Sequence, residues 1–209
     1  AELSEVNLES INSLFSGLSS KPLITDMDVN IQELDVYGYK ILNANIKYVP
    51  TNKNVSIQIL SNDVVGNILW DSKENLLKAG FEKLHLKKNN TLVDDESKFI
   101  FSDAPKINIK VKSLMLDEDA YGDLSLIAFK ENKMWNIESF KITNPNHTIN
   151  GSGLWDDEGL SPNTSINFSW DIANIEKTFD QLSYPELIKD GKASVIGMLS
   201  WPKSPFDLN

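Results

Sequence analysis

The stretch Gly197-Met-Leu-Ser-Trp201, followed by Pro202-Lys-Ser-Pro205, decides how the chain is read. Its frame, Gly-x-x-x-Trp, recurs at Gly66-Asn-Ile-Leu-Trp70 and at Gly151-Ser-Gly-Leu-Trp155. Residues four apart in a strand point to one face. Each copy therefore sets a bare backbone position and a large aromatic on the same side of a sheet. Three copies, each closing a predicted strand, point to a repeated sheet unit.

Outward from these copies the pattern stays at period two. Met27, Val29 and Ile31 alternate with Asp26, Asp28, Asn30 and Gln32. Leu42, Ala44, Ile46 and Tyr48 follow, then Val55, Ile57 and Ile59, then 64–70 and 77–86. The pattern restarts at Pro105 with Ile107, Ile109 and Val111, a turn at Gly122, then Leu124, Leu126 and Ala128. Strands follow over 135–142, 149–155 and 166–170. About eleven strands joined by short polar turns predict an antiparallel meander. Gly38 to Trp70 and Gly122 to Trp155 are nearly the same distance apart, which gives a repeat of about 84 residues.

Two segments depart from this texture. Leu3, Val6, Ile11, Leu14 and Phe15 have helical spacing and predict a short N-terminal helix within 1–20. Ile172, Ile175, Phe179 and Leu182 predict a second helix over 172–182, capped by Asp171 and stopped by Pro185. The expected organisation is a helix over 1–20, a β unit over 21–87 and a polar loop over 88–104. A second β unit over 105–171 follows, and then 172–209 with the start of a third, all in one continuous domain. The fold class is mainly β, a curved, twisted sheet or groove.

Formal net charge is -10, against the electrostatic footprint of a nucleic-acid binder. Without Cys there is no disulfide, thiol catalysis or zinc–thiolate site. No apolar run reaches the about 18 residues a membrane span needs. His85 and His147 lack neighbours at ligand spacing and read as surface or hydrogen-bonded residues, so no metal is expected. Asp26-Met-Asp28-Val-Asn30 imitates a calcium loop, but Ile31 stands where the glycine is needed and Tyr37 where the glutamate is. Asp94-Asp-Glu96, Asp117-Glu-Asp119 and Asp156-Asp-Glu158 could supply paired carboxylates for glycoside hydrolysis, yet all lie in predicted turns, where acids simply solvate. No nucleophile elbow, phosphate-binding loop or dinucleotide fingerprint occurs. No cofactor and no enzymatic activity are expected.

Many strands with one apolar face and little helix to cover them leave two solutions. The sheet folds over itself as a closed sandwich, or it curls into a trough with an apolar inner face, a place for acyl chains. Candidate lining positions for a trough are Val29, Ile31, Leu42, Ala44, Ile46, Val55, Ile57, Ile59, Ile107, Ile109, Leu124, Leu126, Ile137, Ile166 and Phe168. The tryptophans either fill the core, stack on sugars or line an apolar groove.

Asp28-Val-Asn-Ile-Gln-Glu-Leu34, the step Tyr37-Gly-Tyr39, the three Gly-x-x-x-Trp strand ends and the tail Trp201-Pro-Lys-Ser-Pro205 together resemble the AsmA-like envelope protein family, most closely its YhdP branch. The likeness covers most of 22–209, with Lys203 where the family element has glycine. The resemblance implies a fragment of a larger, bridge-like periplasmic protein of Gram-negative bacteria, anchored in the inner membrane by a helix outside this chain. It implies a continuous hydrophobic groove for phospholipid transport between inner and outer membranes, and hence outer-membrane homeostasis. The implied partners are phospholipid acyl chains and other segments of the same parent protein. The competing reading is a closed β-sandwich binding or scaffold module for glycan or a protein partner, with no lipid.

Overall fold

In the computed structural model, residues 2–6, 26–36, 39–88, 105–131, 134–156, 163–182, 184 and 188–202 are described. Twelve strands follow one another in the sheet in chain order. They are β1 (Glu2–Val6), β2 (Met27–Val36), β3 (Tyr39–Pro50), β4 (Asn54–Leu60), β5 (Val64–Asp71) and β6 (Leu76–Lys88). Then come β7 (Lys106–Leu116), β8 (Asp119–Glu131), β9 (Met134–Thr143), β10 (His147–Asp156) and β11 (Asn163–Ile172). Helix α1 (Ile175–Gln181) precedes β12 (Ala193–Pro202). From β2 to β6 and from β8 to β12 the alternating pattern forms the expected antiparallel meander. Within β2 to β6 and β8 to β11 short turns bring sequence neighbours together as pairs. By compactness the chain divides into one unit of 1–101 with 111–120 and a second of 102–110 with 121–209.

In the first unit, β2 to β6 pair antiparallel in sequence. The β4–β5 hairpin is shorter than its flanks. Past its tip, where the His85 N–H donates to the Asp63 carbonyl at 2.9 Å, β3 and β6 converge. Tyr39 pairs with Lys88 and Lys40 with Lys87. Drawing these strands together cups the sheet over its apolar face. The core sits there: Val29, Ile31, Leu34, Ile41, Ala44 and Val64, packed by Phe81, Leu84 and Leu86.

Simple alternation fails once inside this core. Ile31 and Ala44 are buried, and so are Leu34 and Ile41, an odd number of residues further along each strand. Asn43 is the reason: its φ of 51° breaks the pleat, and no pairing joins it to Gln32. Leu42, which strict alternation places beside Ala44, is instead 46% exposed.

In the second unit, β8 to β12 form antiparallel ladders. Between β11 and β12 the chain leaves the sheet and returns in register, Ile172 opposite Ala193. The excursion carries α1. Asn174 caps it, its side chain accepting from the Lys177 N–H at 3.0 Å. The cap therefore lies three residues beyond the expected Asp171. Asp171 and Ile172 stay in β11, held by Ser194 and Ala193, and strand pairing outweighs their helical spacing.

Two further expectations are corrected. Glu2–Val6, read as the start of a helix, is a strand running parallel to β2, with Leu3 opposite Ile31 and Val6 opposite Leu34. The edge of β2 offers a row of unpaired backbone groups, and pairing with it satisfies more of them than an isolated helical turn does. Gly122, read as a turn, lies within β8 at a φ of 87°. The remainder of the expected N-terminal helix (7–20), the Gly38 step, the polar loop from 89 to 104, Asp157 to Gly159 and the tail from 203 lie outside the described residues.

The Gly-x-x-x-Trp frame has a packing role. Gly66 on β5 pairs with Phe81, Gly151 on β10 pairs with Phe140 and Phe168, and Gly197 on β12 pairs with Phe168. A Cβ built on Gly66 would lie 2.3 Å from the Phe81 ring and 2.6 Å from the Gly80 carbonyl oxygen. On Gly151 it would lie 2.4 Å from the Phe140 ring. The glycine is a slot that lets a cross-strand phenylalanine lie flat on the sheet. Gly66→Val should lower the unfolding free energy by about 1–3 kcal/mol, the usual cost of overpacking. A urea titration reads this as a lower midpoint at unchanged slope; an unchanged midpoint would mean that the ring is not fixed over the glycine.

Candidate functional site

Following the pairings across each unit sorts every side chain onto one of two faces. In the first unit one row reads Val29, Ile46, Ile59, Gly66, Phe81. The next reads Met27, Tyr48, Ile57, Ile68, Ala79, and a third Pro50, Val55, Trp70, Leu77. The opposite face carries Asp28, Lys47, Gln58, Asn67, Gly80 in one row. There the Asn45 amide donates to Asp28 at 2.6 Å and to Asn30 at 2.9 Å, and Lys47 lies 3.7 Å from Asp28. Val49, Leu60, Val65 and Leu69 share this face with them, so the division into an apolar and a polar face is sharpest along the row from Asp28 to Gly80.

The second unit repeats this. Its rows are Leu124, Ile142, Ile149, Trp170, Val195, then Leu126, Phe140, Gly151, Phe168, Gly197, then Ala128, Ile137, Gly153, Ile166, Leu199. A fourth row brings Trp135, Trp155 and Trp201 onto the same face, with Trp135 and Trp155 stacked at 6.3 Å and 13° between planes. The reverse face pairs Asn150 with Ser169 and Ser152 with Asn167, and sets the 46%-exposed Leu154 between Asn136 and Ser165; Ile127, Phe129, Ile196 and Met198 also lie on it.

Most of the expected lining positions fall on these faces, but they are not equally accessible. Val29, Ile31, Ala44 and Val55 are buried core. Ile46, Ile57 and Ile59 continue the same face half-buried, as do Leu124, Leu126, Ile137, Ile166 and Phe168 in the second unit. Ile107 and Ile109 are half-buried on β7. Leu42 is displaced by the break at Asn43. The lining candidates left out Tyr48, Ile68, Phe81 and Phe140, which the rows place on these faces together with Trp70 and Trp170, two of the tryptophans read as filling the core, stacking on sugars or lining a groove. Only cross-strand register assigns them, although their strand parity carried the signal. Burial pushes the Tyr48 hydroxyl above its ordinary pKa, the mark of an apolar surrounding.

At one end of the second unit's apolar face stands His147, buried beneath α1 and only 6% exposed. Of the two readings, surface or hydrogen-bonded, it takes the second, as the first residue of β10. Its Nδ1 lies 3.4 Å from the fully buried Thr178 Oγ1, its Nε2 3.4 Å from the Asn144 side chain, and Trp170 meets the ring edge-on at 5.9 Å. Thr178 in turn donates to the Asn174 carbonyl at 2.7 Å. His147 is thus the polar post on which α1 rests. His85 lies 3.0 Å from Ser113. Among the described residues no three potential ligands gather at a metal site, and no helix is long and apolar enough to cross a membrane.

A protein-family model described as YhdP protein matches residues 1–209, the whole chain. The chain belongs to the YhdP protein family. This agrees with the AsmA-like resemblance carried by the repeated strand ends. Searches of curated proteins and of solved structures gave no match. For this YhdP family member, then, the geometry of the two amphipathic units carries the functional argument.

The helix post has a pH consequence. Burial lowers the pKa of His147 from its ordinary value near 6.5. The folded state therefore favours neutral imidazole, and its stabilising contribution is present above that value and declines as pH falls below it. His147→Gln removes the titration. The stability difference between wild type and this variant should shrink between about pH 7.5 and about pH 5 in urea titrations; a pH-independent difference would mean that His147 protonates freely beneath the helix.

Proposed function

We propose that this chain is a non-enzymatic segment of a periplasmic, inner-membrane-anchored YhdP-like protein, and that its apolar sheet faces carry phospholipid acyl chains between inner and outer membranes. One observation supports this most directly: in each unit the cross-strand rows form a continuous face of aliphatic and aromatic side chains, opposite a face that carries most of the polar ones. The half-buried stretch built from Ile46, Ile57, Ile59 and Ile68 is the part of the first unit's face where an acyl chain would lie. The stretch near Val29, Ala44 and Val64 is filled by its own side chains. In the second unit, Leu124, Leu126, Ile137, Ile166 and Phe168 offer the corresponding surface.

The energetics favour sliding over tight capture. Each methylene withdrawn from water contributes about 0.8 kcal/mol, so an acyl chain binds an apolar strip without a polar clamp. A strip of similar weak contacts has no deep minimum, which lateral movement requires. The closed-sandwich reading, with a solid core and no lipid, is the alternative, and the first unit's cupped core near Val64 is the feature that favours it.

Native mass spectrometry with organic extraction, on protein expressed in a Gram-negative host, separates the two. Bound phospholipid should be present, and Ile57→Asp and Ile166→Asp should each reduce it severalfold while leaving the circular dichroism spectrum intact. A wild-type protein free of lipid would turn the assignment toward a scaffold module. Variants that unfold would mark those positions as core.

A further inference from the structure

Two side-chain links join the body of α1 to the end of the second unit's apolar face. The fully buried Thr178 lies 3.4 Å from His147 Nδ1, and Gln181 accepts from the Asn144 amide at 3.4 Å. Both links meet at one pair, because the same Asn144 amide nitrogen lies 3.4 Å from His147 Nε2.

The hydrogen bonds around this pair assign its protons. Thr178 gives its single hydroxyl proton to the Asn174 carbonyl at 2.7 Å, so toward His147 it can only accept. Nδ1 must therefore carry the ring proton. Asn144 is held against turning its amide over, because its Oδ1 accepts from the backbone N–H groups of Asn146 at 2.8 Å and His147 at 3.0 Å. Its Nδ2 meets the ring as a donor, so Nε2 is the bare nitrogen that accepts. The site fits a neutral imidazole in one tautomer. A proton added at Nε2 sets two donors against each other, and moving Asn144 away disturbs the Gln181 bond made by the same amide group.

The surrounding charges do not offset this. Among the described residues the polar partners of the ring are Thr178 and Asn144, with Trp170 of β11 edge-on. Lys141 of β9 and Asp171 of β11 fall on the reverse face, where Asp171 accepts from Ser194 at 2.8 Å. On α1 the charged residues are Glu176, Lys177 and Asp180, and it is Thr178 that meets the ring. Lys189 and Asp190 precede β12 and are exposed. Lys192 lines an open cavity of about 490 Å³ together with His147, bringing a like charge to an imidazolium while the cavity admits a proton from solvent.

The helix depends on this contact. It has seven residues, against the about 12–15 that an isolated helix needs in water. Leu182 and Tyr184 at its far end are exposed. Its near end is tied by backbone bonds that do not titrate: Ala173 and Asn174 donate to the Asn146 carbonyl at 2.7 and 3.1 Å, and Ile175 to that of Gly191 at 3.1 Å. We propose that α1 is a proton-released strap: protonation of His147 at Nε2 frees its body from the sheet and uncovers the buried Ile172 and the edge of Trp170, while the ties at 173–175 and the β8–β12 ladders stay formed. Acid then lengthens the open apolar face. The strap rests on the second unit alone and stands whether or not that face carries lipid.

Hydrogen exchange on the full chain, corrected for the intrinsic effect of pH, reads the release. Protection over 174–182 should fall about tenfold or more between about pH 7.5 and about pH 5, with protection in β10 and β11 retained. In nitrogen NMR spectra His147 should show the Nδ1–H tautomer at the upper pH, and its titration midpoint should match that of the exchange change. His85→Gln should leave the change in place, and His147→Gln should abolish it. If His147→Gln does not fold, the matched midpoints on the wild-type chain decide. An Nε2–H tautomer, a ring still neutral at the lower pH, protection over 174–182 that holds while His147 titrates, or a fall shared equally by β10 and β11 overturns the proposal. A pH dependence that persists in His147→Gln also overturns it and assigns the release to the carboxylates of α1.

Discussion

A sheet with one apolar face must cover that face, and everything else in this protein follows from how it does so. The cross-strand rows gather enough aliphatic and aromatic side chains on one face of each unit that a flat sheet would leave them in water. The cost is roughly 25 cal/mol for every Å² so exposed. Among the described residues only α1 is helical, too little for the usual layer of helices.

The two units meet this constraint differently. In the first, β3 and β6 close together past the tip of the β4–β5 hairpin, and the sheet becomes its own cover around Val64 and Ala44. The break at Asn43 belongs to this solution, because it turns Ile41 and Leu34 inward where strict alternation would have turned Glu33 and Leu42. In the second unit an excursion between β11 and β12 lays α1 over one end of the face. Covering with a helix brings polar backbone to an apolar surface, and the capping Asn174, Thr178 and the buried His147 satisfy the groups nearest the sheet.

Where neither device reaches, apolar rows remain half-exposed. That partial cover is what the proposed lipid-carrying segment requires and a closed sandwich does not. The Gly-x-x-x-Trp frame now has a mechanical reading. Each glycine removes a side chain so that a neighbouring phenylalanine can lie against the sheet, while the tryptophan four residues on widens the apolar face. The first two copies sit on β5 and β10, five strands apart, and the third sits on β12.

The sequence by itself determined the elements and their class. Period-two alternation marked nearly every strand, short polar turns required antiparallel neighbours, and the spacing around Phe179 marked helix α1. Parity along a strand is a local property, so Val29 with Ile31, or Ile57 with Ile59, could be placed on one face without any structure. What only tertiary structure decided is non-local. Leu42 left its expected face because of one backbone angle at Asn43. Glu2–Val6 became a strand because the edge of β2 was there to pair with. His147 became buried because α1 folded back on it from 31 residues away. Whether an apolar residue fills a core or lines a surface depends on which strand crosses over it, and no stretch of sequence carries that information alone.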